Sequence, residues 1–194
     1  MATLEDIKAL REKTGAGIVD VKKALEEAGG QEEKAIEILR KKGKDKAIKK
    51  SDRETKEGVI GVYIHANKKI GAMVKLCCET DFVARNIDFQ ILAQDIAMHV
   101  TAMSPTVVTP EEVSEEIVAK EREIWTEQLA SEGKSEEIMK KILEGKEQKF
   151  RGESALLSQA FVKNPEITIE ELVAEKIGVI GEKISISEFV RYEL

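Results

Sequence analysis

The sequence predicts an α+β protein. An N-terminal bundle of three short helices leads through a charged linker into a small antiparallel or mixed sheet packed with helices, and a helical hairpin projects from that core. Three observations predict it. Apolar residues recur at helical spacing through residues 4–39 and again through 89–103. Strand-like runs are confined to "GVIGVYIHA", "KIGAMVKLCCE" and the closing "KISISEFVRYEL". Between the second and third runs, residues 109–150 are rich in charge and sparse in apolar positions.

In the bundle, residues 1–43, Thr3 caps the first helix with Asp6 at its third position, and Leu4, Ile7 and Leu10 form its stripe. "TGAG" breaks it. Ile18, Val21, Ala24, Leu25 and Ala28 line the second helix, which Gly29-Gly30 ends. Ala35, Ile36 and Leu39 carry the third, closed by Gly43. So few residues make a small core of modest stability.

Residues 44–57, "KDKAIKKSDRETKE", hold little apolar content and read as a linker whose start suits a helix. The lysines from Lys41 to Lys50 offer contacts to RNA, but a solvated linker is the commoner fate of such a run. The core domain is 58–194. Its two first strands are joined by a turn at Asn67-Lys68-Lys69, and Ile70, Ala72, Val74, Leu76 and Cys78 share one face. A helix follows, with Phe89, Leu92, Ala93, Ile96, Val100 and Met103 in register. The hairpin, about 109–150, opens on Thr109-Pro110-Glu111-Glu112, a cap, an N1 proline and a capping box. It breaks at Gly133, restarts near Ser135 and has a thin seam of Val113, Ile117, Ile124, Leu129, Ile138 and Ile142. Thr168 then caps a helix with Glu171, and Ile167 and Leu172 suit a hydrophobic staple.

Composition narrows function. The chain has 194 residues and a net charge of -6, which argues against general nucleic-acid binding, where a basic face is wanted. No run of ~18 apolar residues suggests a membrane span. The N-terminus has neither the apolar region of a signal peptide nor the pattern of a transit peptide. Cys77 and Cys78 are adjacent, a poor structural staple, so a reducing cytoplasm is the simplest setting. Cys78 reads as core and Cys77 as a half-exposed thiol. The two histidines, His65 and His99, are too few and too scattered for a metal site, and nothing orients a Cys-His pair. No catalytic residue, metal or cofactor is expected, and the chain reads as a binding protein rather than an enzyme.

One stretch asks for more. In "CETDFVARN", residues 78–86, a strand ends and an acid and a phenyl ring follow at once, in a chain that is only 4% aromatic. Phe82 is either ordinary core or a ring meant for another protein.

Several blocks, in order, resemble the translation elongation factor Ts family: "LREKTGAGIVDVKKALEEAGG", "CETDFVARN", "IAMHV", "GKSEEIMKKILEGK", "QAFVKNP" and "EFVRYEL". The resemblance implies a guanine-nucleotide exchange factor that binds elongation factor Tu·GDP and promotes GDP release in the bacterial cytoplasm. It implies no covalent chemistry. By match, Asp81 and Phe82 of the Thr80–Val83 motif contact the nucleotide domain of Tu, with the ring as a wedge near the magnesium site. The bundle is similar to a ubiquitin-associated module, and Arg11, Ile18, Val19 and Lys22 fall on its Tu-facing surface. The family usually has two methionines where this chain has Ile18-Val19. His99 matches a family histidine near Tu, with a core-edge role as its alternative, and Phe161 and Val162 fall in a further contact block. The family usually has Asn where this chain has Lys183. Longer members carry two copies of the core unit and this chain carries one, which implies a homodimer and a two-plus-two complex with Tu. The alternative is a non-catalytic adaptor whose bundle binds a ubiquitin-like or ribosomal partner.

Overall fold

A computed structural model of the chain describes residues 3–130 and 135–194. The expected break at Gly133 lies outside the described residues. The bundle comprises α1 (Leu4–Thr14), α2 (Ile18–Glu27) and α3 (Glu32–Ile48). Thr3 and Asp6 form a reciprocal capping box at 3.1 and 2.9 Å, and Gly15 ends α1 at φ 67°. Ile7, Leu10, Val21, Ala24, Leu25, Ala28 and Ala35 make the bundle's core. Leu4 and Ile18, expected in the stripes, are exposed instead. Each stands in the first turn of its helix, where side chains lean back past the helix end and find no neighbour.

The third helix does not close at Gly43. It runs on to Ile48, so the start of the linker stretch, residues 44–48, is helical and continuous with the bundle's last helix. The reason is tertiary. A Cβ on Gly43 would lie 3.1 Å from the Ala174 carbonyl oxygen, and one on Gly178 would lie 3.1 Å from Gly43 Cα. Two missing side chains therefore let α3 cross α8 (Ile169–Ile180) at close range, which outweighs a glycine penalty of ~1 kcal/mol. Lysines of α3 and of the turn just after it then meet the carbonyl end of α8: Lys46 Nζ donates to Gly178 O (3.2 Å) and Lys50 Nζ to Gly181 O (2.5 Å). Positive charge at a helix C-terminus is favourable. The bundle thus sits directly on the core.

The core sheet has the order β1 (Glu57–Ile64), β2 (Ile70–Cys78), β5 (Ile184–Glu193), antiparallel throughout. The expected turn joins β1 to β2, with the Lys68 N–H donating to His65 O at 2.8 Å. Ala72, Val74, Leu76 and Cys78 face inward onto α5 (Ile87–Met103), which contributes Phe89, Leu92, Ala93, Ile96, Ala97 and Val100. Gly61 makes that contact possible, because a Cβ there would fall 2.3 Å from the Ala93 carbonyl oxygen. Met103, expected in the stripe, is the last residue of α5 and exposed. Cys77 is buried rather than half-exposed. It lies in the central strand between Gly58 and Ser185, and the linker residue Thr55 bonds Ser185 beside it at 3.0 Å.

The hairpin is α6 (Glu115–Ala130) and α7 (Glu136–Ser154). Its opening differs from expectation. Thr109 and Glu112 do form the capping box, but they cap a single 3₁₀ turn, Pro110–Glu112. Val113 then turns extended, is buried, and gives its carbonyl to Arg151 Nη1 at 3.1 Å. Packing across the hairpin therefore wins over a good local helix start. Val113 and Leu129 are buried as expected, but between them the seam is shifted by one residue: Val118 is buried, and Trp125 meets Phe150 edge-on at 5.8 Å. Ile117, Ile124 and Ile138, expected in the seam, face solvent. Beyond α7, β3 (Ala160–Phe161) and β4 (Asn164–Thr168) form a small second sheet that the sequence did not announce. Thr168 caps α8 with Glu171 as expected.

Candidate partner-binding surface

Phe82 stands on a one-turn helix, α4 (Asp81–Ala84), at the exit of β2. Ala84 is buried and Val83 packs on the core, so the turn has an inner side. Phe82 points the other way and is 82% exposed. Asp81 is half-buried and pairs with Arg85 at 3.0 Å. An unsupported four-residue helix does not hold its shape in water, and here it is held from outside. Thr80 Oγ1 donates to Glu182 Oε1 (2.7 Å), and the N–H groups of Thr80 and Glu79 donate to Glu182 Oε2 (3.0 and 3.2 Å). The Thr80 carbonyl accepts from the Ala84 N–H and from Cys78 Sγ, both at 3.2 Å.

Glu79 returns the favour. Its carboxylate accepts the Lys183 N–H at 2.6 Å and the Arg53 guanidinium at 3.1 and 3.2 Å. The Lys183 N–H and then Arg53 hold its pKa below the ordinary carboxylate value. Lys183 Nζ donates to the carbonyls of Ser51 (2.6 Å) and Arg53 (2.8 Å), tying the linker to the same place. Sequence reasoning missed Glu182, Glu79 and Arg53. A signal existed: Glu182 follows the last residues of α8 and the αL Gly181, where a negative charge opposes the helix dipole and needs a reason to be there.

On the bundle, Arg11, Ile18, Val19 and Lys22 are all exposed. Ile18 and Val19 therefore present adjacent apolar groups at the start of α2. The structure places the third group differently. His99 is fully buried, and Phe161 is buried beside it with ring centroids 6.2 Å apart. Only Val162 of this block reaches the surface. The Val162 N–H donates to His99 Nδ1 (3.2 Å), so the proton sits on Nε2 and is donated to Gln159 Oε1 (3.0 Å). Gln159 is oriented by its own bond to the Glu153 carbonyl at 2.7 Å. His99 thus holds the Val162 segment in place from within.

Burial lowers the His99 pKa below its ordinary 6.5. The unfolded chain then takes up a proton first as pH falls. The stability tied to neutral His99 is complete above about pH 6.5 and is lost as pH falls from there towards the folded-state value. Denaturant titrations at pH 7.5 and 5.5 check this. The wild type is expected to lose more stability between the two than His99→Asn, whose amide oxygen can still accept the Val162 N–H. Glu175, raised by burial, contributes to both proteins alike. Equal losses would contradict the assignment.

The two cysteines lie apart from His65 and are not set up as nucleophiles. Cys78 is buried and its thiol is pushed up to about 11, chiefly by burial and then by the Glu182 charge. Cys77 pairs with Gly58 at the start of β1, whereas His65 follows the far end of that strand. No three or more His, Cys, Asp or Glu side chains among the described residues gather in a way that could hold a metal. None of the described helices is long and apolar enough to cross a membrane.

The arrangement defines a class of protein: an α+β chain that holds apolar groups out on braced elements, with no assembled nucleophile or metal cluster among the described residues. The family model described as Elongation factor TS matches residues 4–194. The chain is 52% identical to Elongation factor Ts of Thermosipho melanesiensis over 192 residues, which cover 99% of this chain and 98% of that protein. It is 50% identical to Elongation factor Ts of Carboxydothermus hydrogenoformans over 194 residues, 100% of this chain and 89% of that one. The chain belongs to the elongation factor Ts family of translation elongation factors.

Proposed function

We propose that this protein is a guanine-nucleotide exchange factor that binds elongation factor Tu·GDP and promotes GDP release, in a bacterial cytoplasm. The observation that carries the reading is the exposed Phe82 ring on a turn braced against the core. Burying a phenyl ring in a partner stabilises a complex by about 1.5–3 kcal/mol. Mg²⁺ on a bound nucleotide demands near-ideal octahedral geometry at short distances. A stiff ring that displaces an element supporting this ion loosens GDP without any acid or base. Asp81 completes this contact, with Thr80 and Val83 at the two ends of the motif. Arg11, Ile18, Val19 and Lys22 of the bundle supply a second. In the third block Val162 makes the contact, while His99 and Phe161 hold it in place. The units are a bundle whose last helix reaches Ile48, a short linker, and the sheet core with its hairpin.

Exchange by this route is linkage. A factor that weakens GDP binding by some ratio is itself weakened by GDP in the same ratio. Titration of the factor onto empty and GDP-loaded Tu tests this. Binding is expected to be far tighter to the empty form. Equal affinity for both forms would sink the proposal.

The active form is a homodimer built on the outer face of the sheet. Register puts Ile60, Lys75 and Glu188 in one row, Val62, Met73 and Val190 in the next, and Ile64, Gly71 and Tyr192 in the third. The inner face is covered by α5, but on the outer face Ile60, Val62, Ile64, Met73 and Tyr192 are exposed, Ile64 by 65% and Tyr192 by 68%. A contiguous patch of this kind marks an association site. A second copy can cover it by packing sheet on sheet about a twofold axis. The assembly with Tu is then two-plus-two. Both cysteines are buried, so the dimer is expected to persist in reductant. Sedimentation at micromolar concentration checks it: Val62→Lys/Tyr192→Lys should sediment as a monomer where the wild type is a dimer. A monomeric wild type contradicts the proposal.

A further inference from the structure

We infer that Glu182 is a positioning residue for the exchange step: its carboxylate sets the direction in which Phe82 is presented. The inference rests on the exchange reading above. α4 is four residues long and has no side-chain cap of its own, because the Thr80 hydroxyl that stands at its cap position is turned away to Glu182. With its N–H on Glu182 and its carbonyl shared by Ala84 and Cys78, Thr80 has every polar group engaged. The residue before Phe82's turn therefore has one available orientation. Remove the carboxylate and three donors lose their acceptor, two of them backbone groups at the strand exit.

The brace is reciprocal. Glu182 reaches the backbone of residues 79 and 80, while Glu79 reaches back to the Lys183 N–H. The exit of β2 and the exit of α8, over 100 residues apart in sequence, are thus bolted to each other by two carboxylates. Arg53 and Lys183 add the linker to the joint. Hydrogen bonds to an ionised acceptor are roughly twice as strong as neutral ones. Glutamine at 182 keeps an acceptor oxygen and should hold the turn in part, whereas alanine should not.

A double-mutant cycle on the full-length protein tests this, with release of fluorescent GDP from Tu as the readout. Glu182→Ala is expected to lower the limiting release rate by about tenfold, the coupling typical of residues in one network, with little change in the half-saturating concentration. On the Phe82→Ala background the same change should cost less than about twofold, because Glu182 acts through the ring. Glu182→Gln should recover part of the rate. Amide exchange supplies a readout free of the partner: the N–H groups of Glu79 and Thr80 should exchange faster in Glu182→Ala than in the wild type. Equal losses on both backgrounds, or unchanged amide protection, overturn the inference. Wild-type release by Phe82→Ala refutes the wedge through which Glu182 acts. Release at only the spontaneous rate with the wild-type protein overturns the exchange reading on which the inference stands, so the failures are distinguishable.

Discussion

Phe82→Ala is expected to slow GDP release from Tu by about ten- to a hundredfold, the kinetic equivalent of losing ~1.5–3 kcal/mol of ring burial at the partner. Its affinity for nucleotide-free Tu should fall by much less, because the bundle surface and Val162 remain. The experiment is clean for a structural reason. The ring is 82% exposed and supports nothing in the free protein, so its removal opens no cavity. Thermal unfolding should be indistinguishable from the wild type. Stopped-flow release with the variant at saturation gives the rate, and equilibrium titration gives the affinity. A folded variant that releases GDP at the wild-type rate refutes the wedge.

Deleting the bundle is expected to have the larger effect on exchange. The cut belongs after Ile48, where α3 ends, rather than after Gly43. The core keeps its own buried cluster on the sheet, α5 and α8, and should still unfold cooperatively. Its melting temperature should fall, because α8 loses the α3 crossing and the Lys46 and Lys50 contacts to its carbonyl end. Exchange should drop by about a hundredfold or more, since the bundle's contacts hold the core at high local concentration. Near-normal exchange by residues 49–194 would place the whole interaction in the core. Binding of the bundle to a ubiquitin-like or ribosomal partner, with no effect of the full-length protein on GDP release from Tu, would favour the adaptor reading.

The sequence was most legible where local chemistry and tertiary packing agree. The capping boxes at Thr3 and Thr168, the turn at residues 65–69 and the inward face of β2 all appear where their patterns put them. It was least legible where a distant partner decides. Gly43 looks like a helix stop until Gly178 is seen across from it. Thr109-Pro110 looks like the start of a long helix until Arg151 takes the Val113 carbonyl. The hairpin seam was right at Val113 and Leu129 and off by one at Ile117, because Ile117 and Val118 are neighbours on a rotating face and apolarity alone does not choose between them.

The site divided in the same way. The exposure of Phe82 follows from a turn with only one inward side, and periodicity over four residues is too short to show it. His99 was readable only as a histidine beside an apolar stripe; its bonds to Gln159 and Val162 come from the residues on either side of β3, which have no clear sequence pattern. Glu182 offered only the hint of an acid at a helix C-terminus, because its partners lie more than 100 residues away.

The most direct test of the account is catalytic turnover. Purified Tu is loaded with fluorescent GDP, mixed with excess unlabelled nucleotide, and followed after adding the wild-type protein in substoichiometric amounts. The account expects each molecule of the factor to empty many molecules of Tu, so that the whole signal decays at a rate proportional to factor concentration. Release that stays at the spontaneous rate, or that stops once it matches the amount of factor added, contradicts it.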